Sequence, residues 1–136
     1  MKASATILLN TLFVSQIAIA TPTTDVLQIN SALFKDKPVF CEEEILSPTK
    51  NDFDLVDYDL MNSESGDRYA IIHIKNTSSG QRILKRENLV AILANCNSLY
   101  PENLNQTLPG RSTVTKSIYF GKHQFPIIKI ITGNEI

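Results

Sequence analysis

The sequence predicts an all-β protein, a single antiparallel β-sandwich of about seven strands after a cleaved signal peptide. Beyond residue 24 the apolar runs are short and rich in Val, Ile, Tyr and Phe, which is typical of strands. Clusters of Gly, Pro, Asn and Ser separate these runs, at the points where strands must end. A helix competes only around residues 84–93, where we expect at most one turn at 85–88 before a strand begins.

The first 20 residues predict the signal peptide. Lys2 supplies a positive start, residues 5–20 are mostly small and apolar, and the A-I-A motif at 18–20 predicts cleavage after Ala20. Polar residues such as Asn10 interrupt the apolar stretch, whereas a spanning helix needs roughly 20 apolar residues. An uncleaved membrane anchor is the alternative. We therefore expect a protein exported to the periplasm or outside the cell.

The remainder has the size of one domain. Removing 20 of the 136 residues leaves 116, divided into a short polar leader at 21–24 and a β-sandwich domain at 25–136. The formal net charge is −1, and the Lys and Arg residues do not cluster. Gross charge therefore indicates neither nucleic acid nor an anionic membrane as a partner.

The apolar runs place the strands and the turns between them. We predict strands at 26–33, 39–46, 53–61, 69–75, 89–94, 113–120 and 127–132. The clearest turns lie at 35–38, 47–51, 62–67, 77–80 and 108–110. Strands of this length and spacing favour a sandwich.

The second predicted strand, 39–46, contains Cys41 followed by three glutamates, Glu42 to Glu44. The glutamates favour an edge strand guarded by charge, and a face for a cationic partner is the alternative. Cys41 and Cys96 are the two cysteines of the chain, and in an exported protein they predict one disulfide. Two unpaired buried thiols are the alternative. A metal or redox site would need C-x-x-C spacing or neighbouring histidines, and the sequence has neither.

Four aspartates alternate with apolar residues in and before the third predicted strand. The alternation slips where Leu55 and Val56 adjoin, and a β-bulge there would return all four carboxylates to one solvent face. Clustered carboxylates could hold calcium weakly, although the EF-hand spacing fails at Val56. A solvated face is the favoured interpretation. The four residues are Asp52, Asp54, Asp57 and Asp59.

The fourth predicted strand carries one of the two histidines. The phase of Ala70, Ile72 and Ile74 points inward, which puts His73 on the outer face. The other histidine, His123, is 50 positions away, and neither has a carboxylate or cysteine at ligand spacing. We therefore predict no metal site and no cofactor, with a metal site formed by the two histidines as the alternative.

The last predicted strand, 127–132, is apolar on both faces apart from Lys129. Such a strand is either buried on two sides or docks a partner. Sheet edges and this tail are the predicted contact surfaces, because strand addition uses backbone hydrogen bonds and tolerates varied sequence. The tail residues proposed as contacts are Pro126, Ile127, Ile128, Ile130 and Ile131.

Motifs for catalysis are missing from the sequence. It contains no G-x-S-x-G elbow, no Gly-rich phosphate loop and no H-E-x-x-H. Two N-x-S/T sequons begin at Asn76 and Asn105, and we interpret them as chance matches. The sequence therefore favours a protein that is not an enzyme.

The second half of the chain resembles small exported bacterial domains of immunoglobulin-like type. The order of features carries the resemblance: a strand ending in Asn76-Thr77-Ser78, an apolar strand at 89–94, Tyr100-Pro101, Leu108-Pro109-Gly110 and a strand ending in Tyr119-Phe120. The resemblance implies an immunoglobulin-like sandwich that acts as an accessory, adhesive or assembly module of the cell envelope. Where such domains often have glycine after the strand at 89–94, this chain has Cys96.

The leading hypothesis is an exported, non-catalytic module that binds another protein or an envelope component. A secreted effector or enzyme inhibitor is the alternative, with the loop 95–106 as its contact because Cys96 anchors one end. A small hydrolase is a third hypothesis, and it predicts a pocket with His73 or His123 beside a Ser or Asp.

Overall fold

The computed structural model describes residues 25–30, 34–42 and 44–134. The predicted signal peptide and leader lie outside these residues. In the described part the fold is all-β, with antiparallel sheets, and the one helical element is a 3₁₀ turn at Arg86–Asn88. No helix within these residues is long and apolar enough to cross a membrane.

The largest sheet, sheet A, has four strands in the order β1-β2-β3-β8, all antiparallel. Its centre is a hairpin whose two ten-residue strands alternate buried and exposed positions. The strands are β1 (Gln28–Asn30), β2 (Phe53–Asn62), β3 (Asp67–Asn76) and β8 (Thr113–Lys122).

Two smaller sheets face sheet A. Sheet B pairs β4 (Arg82–Lys85) with β7 (Asn105–Leu108). Sheet C has the order β6-β5-β9, with β5 (Leu89–Leu93) between β6 (Ser98–Leu99) and β9 (Ile127–Thr132).

One core joins the three sheets, an arrangement consistent with a β-sandwich. Sheet A contributes the inward residues of β2, β3 and β8, while sheets B and C contribute the facing residues. The buried cluster contains Phe53, Tyr58, Leu60, Ala70, Ile72, Ile74, Leu84, Leu89, Ala91, Leu93, Leu104, Leu108, Ile118, Phe120, Ile127 and Ile130.

The predicted bulge in β2 is present. The register with β3 shifts between Leu55 and Asp57, so Val56 is the extra residue and is exposed. The shift keeps Phe53, Tyr58 and Leu60 facing the core on both sides of it, and the aspartates of the strand stay outside.

The prediction of a strand at 39–46 is wrong for the described residues of that range, which join no sheet. Residues 34–42 and 44–50 instead form a crossing segment, which begins beside β2 and β9 and then runs over the outer side of sheet C. The Cys41–Cys96 disulfide holds it there, as do hydrogen bonds from Leu46 N to Ser98 Oγ (2.7 Å) and from Thr49 N to Glu87 O (2.7 Å). A consecutive run of glutamates lacks the alternation that sheet pairing requires, so isolated anchors replace a ladder.

The crossing segment explains why every residue of β5 is buried. Leu89, Ala91 and Leu93 belong to the shared core, whereas Val90 and Ile92 have the opposite phase and are buried outside it. The crossing segment lies on that outer side, with Pro48 itself buried. At Gly133 a Cβ atom would lie 2.1 Å from Thr49 O, so only glycine permits this approach.

The outcome of the other strand predictions depends on the length of the strand. The predicted strands at 53–61, 69–75, 89–94, 113–120 and 127–132 are confirmed, as is the helical turn before β5. The strand predicted at 26–33 is described only in part, with pairing at Gln28–Asn30. The sequence did not predict β4, β6 and β7, which have four, two and four residues and are too short to show a period.

Candidate functional site

The strand β8 forms one edge of sheet A, and most of its length is unpaired on the side away from β3. Thr113, Thr115, Lys116 and Ser117 are exposed, and the strand contains no proline. Its register with β3 runs without a shift from Thr113 to Tyr119. The edge is therefore straight and regular over seven residues.

Two hydrogen bonds establish which backbone groups point outward. Tyr119 O accepts from Glu102 N at 3.0 Å, which turns residue 119 away from β3, and Asn76 N donates to Ser112 O at 2.9 Å, which turns residue 112 toward β3. Since backbone groups alternate along an antiparallel strand, those of Thr113, Thr115 and Ser117 point away from the sheet. Their N–H and C=O groups have no hydrogen-bond partner in the described part of the chain.

Lys116 has the inward phase of β8, between Val114 and Ile118, yet it is exposed. Its Nζ donates to Gln106 Oε1 of β7 at 3.0 Å, so the side chain leaves the sandwich at the gap between β8 and β7. An inward-pointing charge is one of the devices by which edge strands oppose pairing with another chain, so a strand added to β8 has to accommodate Lys116.

The outer face of sheet A carries rows of side chains from β2, β3 and β8. One row aligns Asp57, His73 and Thr115, and the next but one aligns Met61, Tyr69 and Tyr119. Thr115 Oγ1 and His73 Nδ1 are 2.8 Å apart, which confirms that His73 faces outward. The hydrolase hypothesis needs a Ser or Asp that acts together with a histidine. Asp57 is in the same row as His73, but its Oδ1 accepts from Tyr58 N and pairs with Lys35.

A network of hydroxyls and carboxylates lies at one end of this face. Tyr119 Oη donates to Asp67 Oδ1 at 2.7 Å, and the Tyr69 and Tyr119 rings pack with centroids 4.5 Å apart. This hydrogen bond raises the pKa of Tyr119 to about 12. The same bond, followed by one from Ser65, lowers the pKa of Asp67. The end of the sheet is thus fixed by polar contacts.

The four aspartates lie on the exposed side, as the sequence predicts, but they do not converge. Asp52 Oδ2 accepts from Arg82 Nε at 2.8 Å, and Asp57 pairs with Lys35. Within the described residues no group of three or more His, Cys, Asp or Glu side chains could hold a metal ion. The structure gives the weak cation site no support beyond its exposure.

Two residues from separate predicted sites meet in one cleft of about 450 Å³ between the β2 bulge and β9. Asp57 and Ile130 both line it, and Lys35 and Lys129 stand at its wall. Lys35 Nζ also lies 5.4 Å from the centroid of the Tyr58 ring, and Lys129 Nζ donates to Lys37 O at 3.1 Å. These lysines make intramolecular contacts that hold the crossing segment.

The structure reduces the number of tail residues that are available for the predicted contact. Ile127 and Ile130 are 4% and 1% exposed and belong to the core, because β9 turns them toward sheet A. These two residues are therefore not available as contacts. Pro126 is exposed and Ile128 and Ile131 are half-buried, so three of the five predicted residues remain at or near the surface.

His123 lies in the turn after β8 and lines two shallow clefts, one with Ser65 and one with Ser98. Its Nε2 lies 2.8 Å from Phe120 O, and its backbone N–H donates to Gly66 O. Contacts within and beside its own turn therefore fix the position of His123.

Sequence analysis did not identify Thr113, Thr115 and Ser117 as site residues. The alternation of hydroxyl residues in T-V-T-K-S marks one strand face, but edge position depends on which strands pair. Comparison with protein-family models, curated proteins and solved structures finds no match.

Proposed function

We propose that this chain is an exported, non-catalytic β-sandwich that binds another protein or an envelope component by adding a strand to β8. The observation that carries the proposal is the set of outward N–H and C=O groups on Thr113, Thr115 and Ser117. An extended segment that pairs there would gain main-chain hydrogen bonds without needing a fixed sequence.

Export and the immunoglobulin-like type belong to the same proposal. The N-terminal pattern and the Cys41–Cys96 disulfide support export, since disulfides persist in oxidising compartments. Antiparallel sheets around a shared core support an immunoglobulin-like sandwich. A strand-by-strand comparison of an experimental structure with that topology would decide the fold type.

The test exploits the outward N–H of Thr115. In Thr115→Pro this donor is lost, but no hydrogen bond to β3 is removed, because the N–H of residue 115 points away from β3. Proline is tolerated at such solvent-facing edge positions. In the matched control, Thr115→Val, the donor stays and the side chain keeps its shape. We expect crosslinked affinity capture from the cell envelope to recover the same partner with the wild type and Thr115→Val, and to lose it with Thr115→Pro.

Hydrogen exchange of the complex gives a second measurement. The amides of Thr113, Thr115 and Ser117 should become protected on binding, whereas those of the β2–β3 turn should not change. Equal capture by all three proteins, with no protection along β8, would show that the edge is not the binding site.

A second candidate, a secreted effector or inhibitor, has one observation in its favour. The loop between β5 and β7 is fixed by Cys96, by the pairing of Ser98–Leu99 and by buried Pro101 and Leu104. It thus presents exposed side chains on a rigid support, as inhibitor loops do. The test replaces the exposed asparagines of this loop, Asn95, Asn97 and Asn103, by Ala. If the loop is the inhibitory contact, inhibition of the target should be abolished. If β8 is the binding site, binding of the partner should be unchanged.

The hydrolase hypothesis keeps its own test. A variant carrying both His73→Ala and His123→Ala should retain full biological activity if the protein acts by binding. Loss of a measurable hydrolytic activity in that variant, with normal folding, would favour the enzyme instead.

A further inference from the structure

We propose that the strand added to β8 is β8 of a second copy of this chain, antiparallel to the first and related to it by a twofold axis at Thr115. The inference rests on the proposed function, since it keeps strand addition at the same edge and names a second copy of the chain, in place of another protein or an envelope component, as the occupant. The result is a symmetric dimer in which both copies contribute sheet A to one continuous sheet.

Backbone geometry fits this register. With the axis at Thr115, residue 115 faces its own copy, and Thr113 faces Ser117 of the second copy. All three residues carry outward N–H and C=O groups, so each facing pair is of the hydrogen-bonded kind. The regular stretch from Thr113 to Ser117 therefore finds a donor for every acceptor in an identical strand.

The outer-face side chains are also self-complementary. Thr115 would meet Thr115, and Thr113 would meet Ser117, so hydroxyl residues pair with hydroxyl residues across the interface. Pairs of this kind stabilise antiparallel strands by about 0.2–1 kcal/mol each. The exposed hydroxyls of β8 thus gain cross-strand neighbours.

Lys116 selects this register over its neighbour. An axis at Lys116 would also use the outward groups, but it would set two lysines directly opposite each other, and like charges facing across strands are destabilising. With the axis at Thr115, Lys116 faces Val114 of the second copy. The inward lysine is therefore a device that favours one pairing and opposes the other.

Glu102 sets one end of the paired stretch. Its N–H donates to Tyr119 O at 3.0 Å, so it occupies the edge of β8 at residue 119. The pairing is therefore limited to residues 113–117, within the part of β8 whose register is regular.

The experiment compares two double variants by sedimentation velocity over a concentration series, using the purified protein without residues 1–20. In Thr113→Glu with Ser117→Lys, opposite charges meet twice across the axis. In Thr113→Lys with Ser117→Lys, like charges meet twice. Within one chain the two positions are about 13 Å apart along the strand, so they interact weakly in the monomer.

We expect the wild type to form a dimer, and the opposite-charge variant to dissociate at least about tenfold less readily than the like-charge variant. The swapped pair, Thr113→Lys with Ser117→Glu, should match the opposite-charge variant. Equal urea midpoints at low protein concentration will show that all the variants fold.

The outcomes separate this inference from the proposed function. A wild-type protein that is monomeric at every concentration, or a dimer indifferent to the charge arrangement, overturns self-pairing through β8. If Thr115→Pro still loses capture of another protein in that case, the proposed function stands without self-pairing. If the dimer responds to charge as expected, the occupant is identified.

Discussion

Asn76, at the end of β3, holds together the turns that follow β3 and β7. It is fully buried, and its Nδ2 group donates to Gly80 O, Leu108 O and Pro109 O at 2.9, 3.2 and 3.0 Å. Its Oδ1 accepts from Ser78 N at 3.0 Å. A side chain in this position is not accessible for glycan attachment in the folded protein, which agrees with interpreting its sequon as a chance match.

Replacing Asn76 by Ala should destabilise the protein by about 2–4 kcal/mol, because the four hydrogen bonds of the buried amide are lost together. The matched control is Asn105→Ala, the exposed asparagine of the other sequon, which should change stability by less than about 0.5 kcal/mol. Urea unfolding measures both. Similar effects at the two positions would contradict the role assigned to the buried amide.

The hydrogen bond between Tyr119 and Asp67 makes stability depend on pH at both extremes. The pKa of Asp67 is lowered, so its contribution is present above the ordinary pKa of an aspartate and is lost as pH falls toward the lowered value. The pKa of Tyr119 is raised to about 12, so its contribution is present below the ordinary tyrosine pKa and is lost as pH rises through about 12.

Tyr119→Phe should therefore be less stable than the wild type near neutral pH, and the difference should shrink in both strong acid and strong alkali. Urea unfolding across a pH series measures it. Ser117→Ala, on the same outer face but outside the network, is the control. Because phenylalanine keeps the ring that packs against Tyr69, a difference that is independent of pH would mean that the hydrogen bond to Asp67 does not account for the effect.

Sequence reasoning at the residue scale succeeded where side-chain period decides the outcome. The inward phase of Ala70 and Ile72, the outward His73 and the aspartates around the bulge all follow from an alternation that the residues themselves display. Asn76 could not be found in this way, because its partners come from turns about 30 residues distant, and an asparagine at a strand end is ordinary in sequence.

At the scale of elements, the crossing segment depends on few anchors. It has no strand ladder within its described residues, and the disulfide is its one covalent link to sheet C. The ladder between β2 and β3, in contrast, extends over nearly the whole of both strands. The two parts should therefore respond differently when the disulfide is removed.

Replacing both Cys41 and Cys96 by Ala should cost about 4 kcal/mol in a chain-entropy estimate for a 55-residue separation. Hydrogen exchange should show faster exchange at Leu46, whose amide bonds to Ser98 of sheet C, and at Thr49, whose amide bonds to Glu87 of the 3₁₀ turn, with little change in the middle of β3. Uniform loss of protection in β3 and the crossing segment would show instead that the disulfide supports the whole fold equally.

Long strands could be predicted from the sequence, whereas segments whose path depends on contacts with distant residues could not. The ten-residue strands contain enough alternation to be located, and β9, which turns Ile127 and Ile130 into the core, shows as an apolar run. The glutamate-rich range 39–46 has strand-like composition at its ends, but its path depends on Cys96 and Ser98, which lie far along the chain.

At the scale of the molecule, the proposal of export makes a direct prediction. Expression of the full chain in an export-competent cell should yield a protein that begins at Thr21, because the A-I-A motif predicts cleavage after Ala20. N-terminal sequencing and intact mass measure it. Ala18→Lys, which spoils the small-residue pattern, should block processing, whereas Ala18→Ser should not. A wild-type chain that retains its first residues would favour the uncleaved anchor.

The assembly of the three sheets was the part of the fold least accessible from sequence. The antiparallel all-β class follows from composition and turns, but the placement of β8 beside β3, and hence the open edge, depends on long-range packing. The candidate site could not be predicted from the sequence for the same reason, because its backbone groups are available only when β8 is the last strand of its sheet.

The position of the disulfide has a consequence for the order in which the chain folds. The loop it closes contains β2, β3, β4 and β5, while β8 and β9, which complete sheets A and C, lie beyond Cys96. Oxidation therefore does not shorten the search by which β5 finds β9, about 40 residues away in sequence. Until β8 pairs, the edge of β3 is open, so β8 must reach that edge before another chain does.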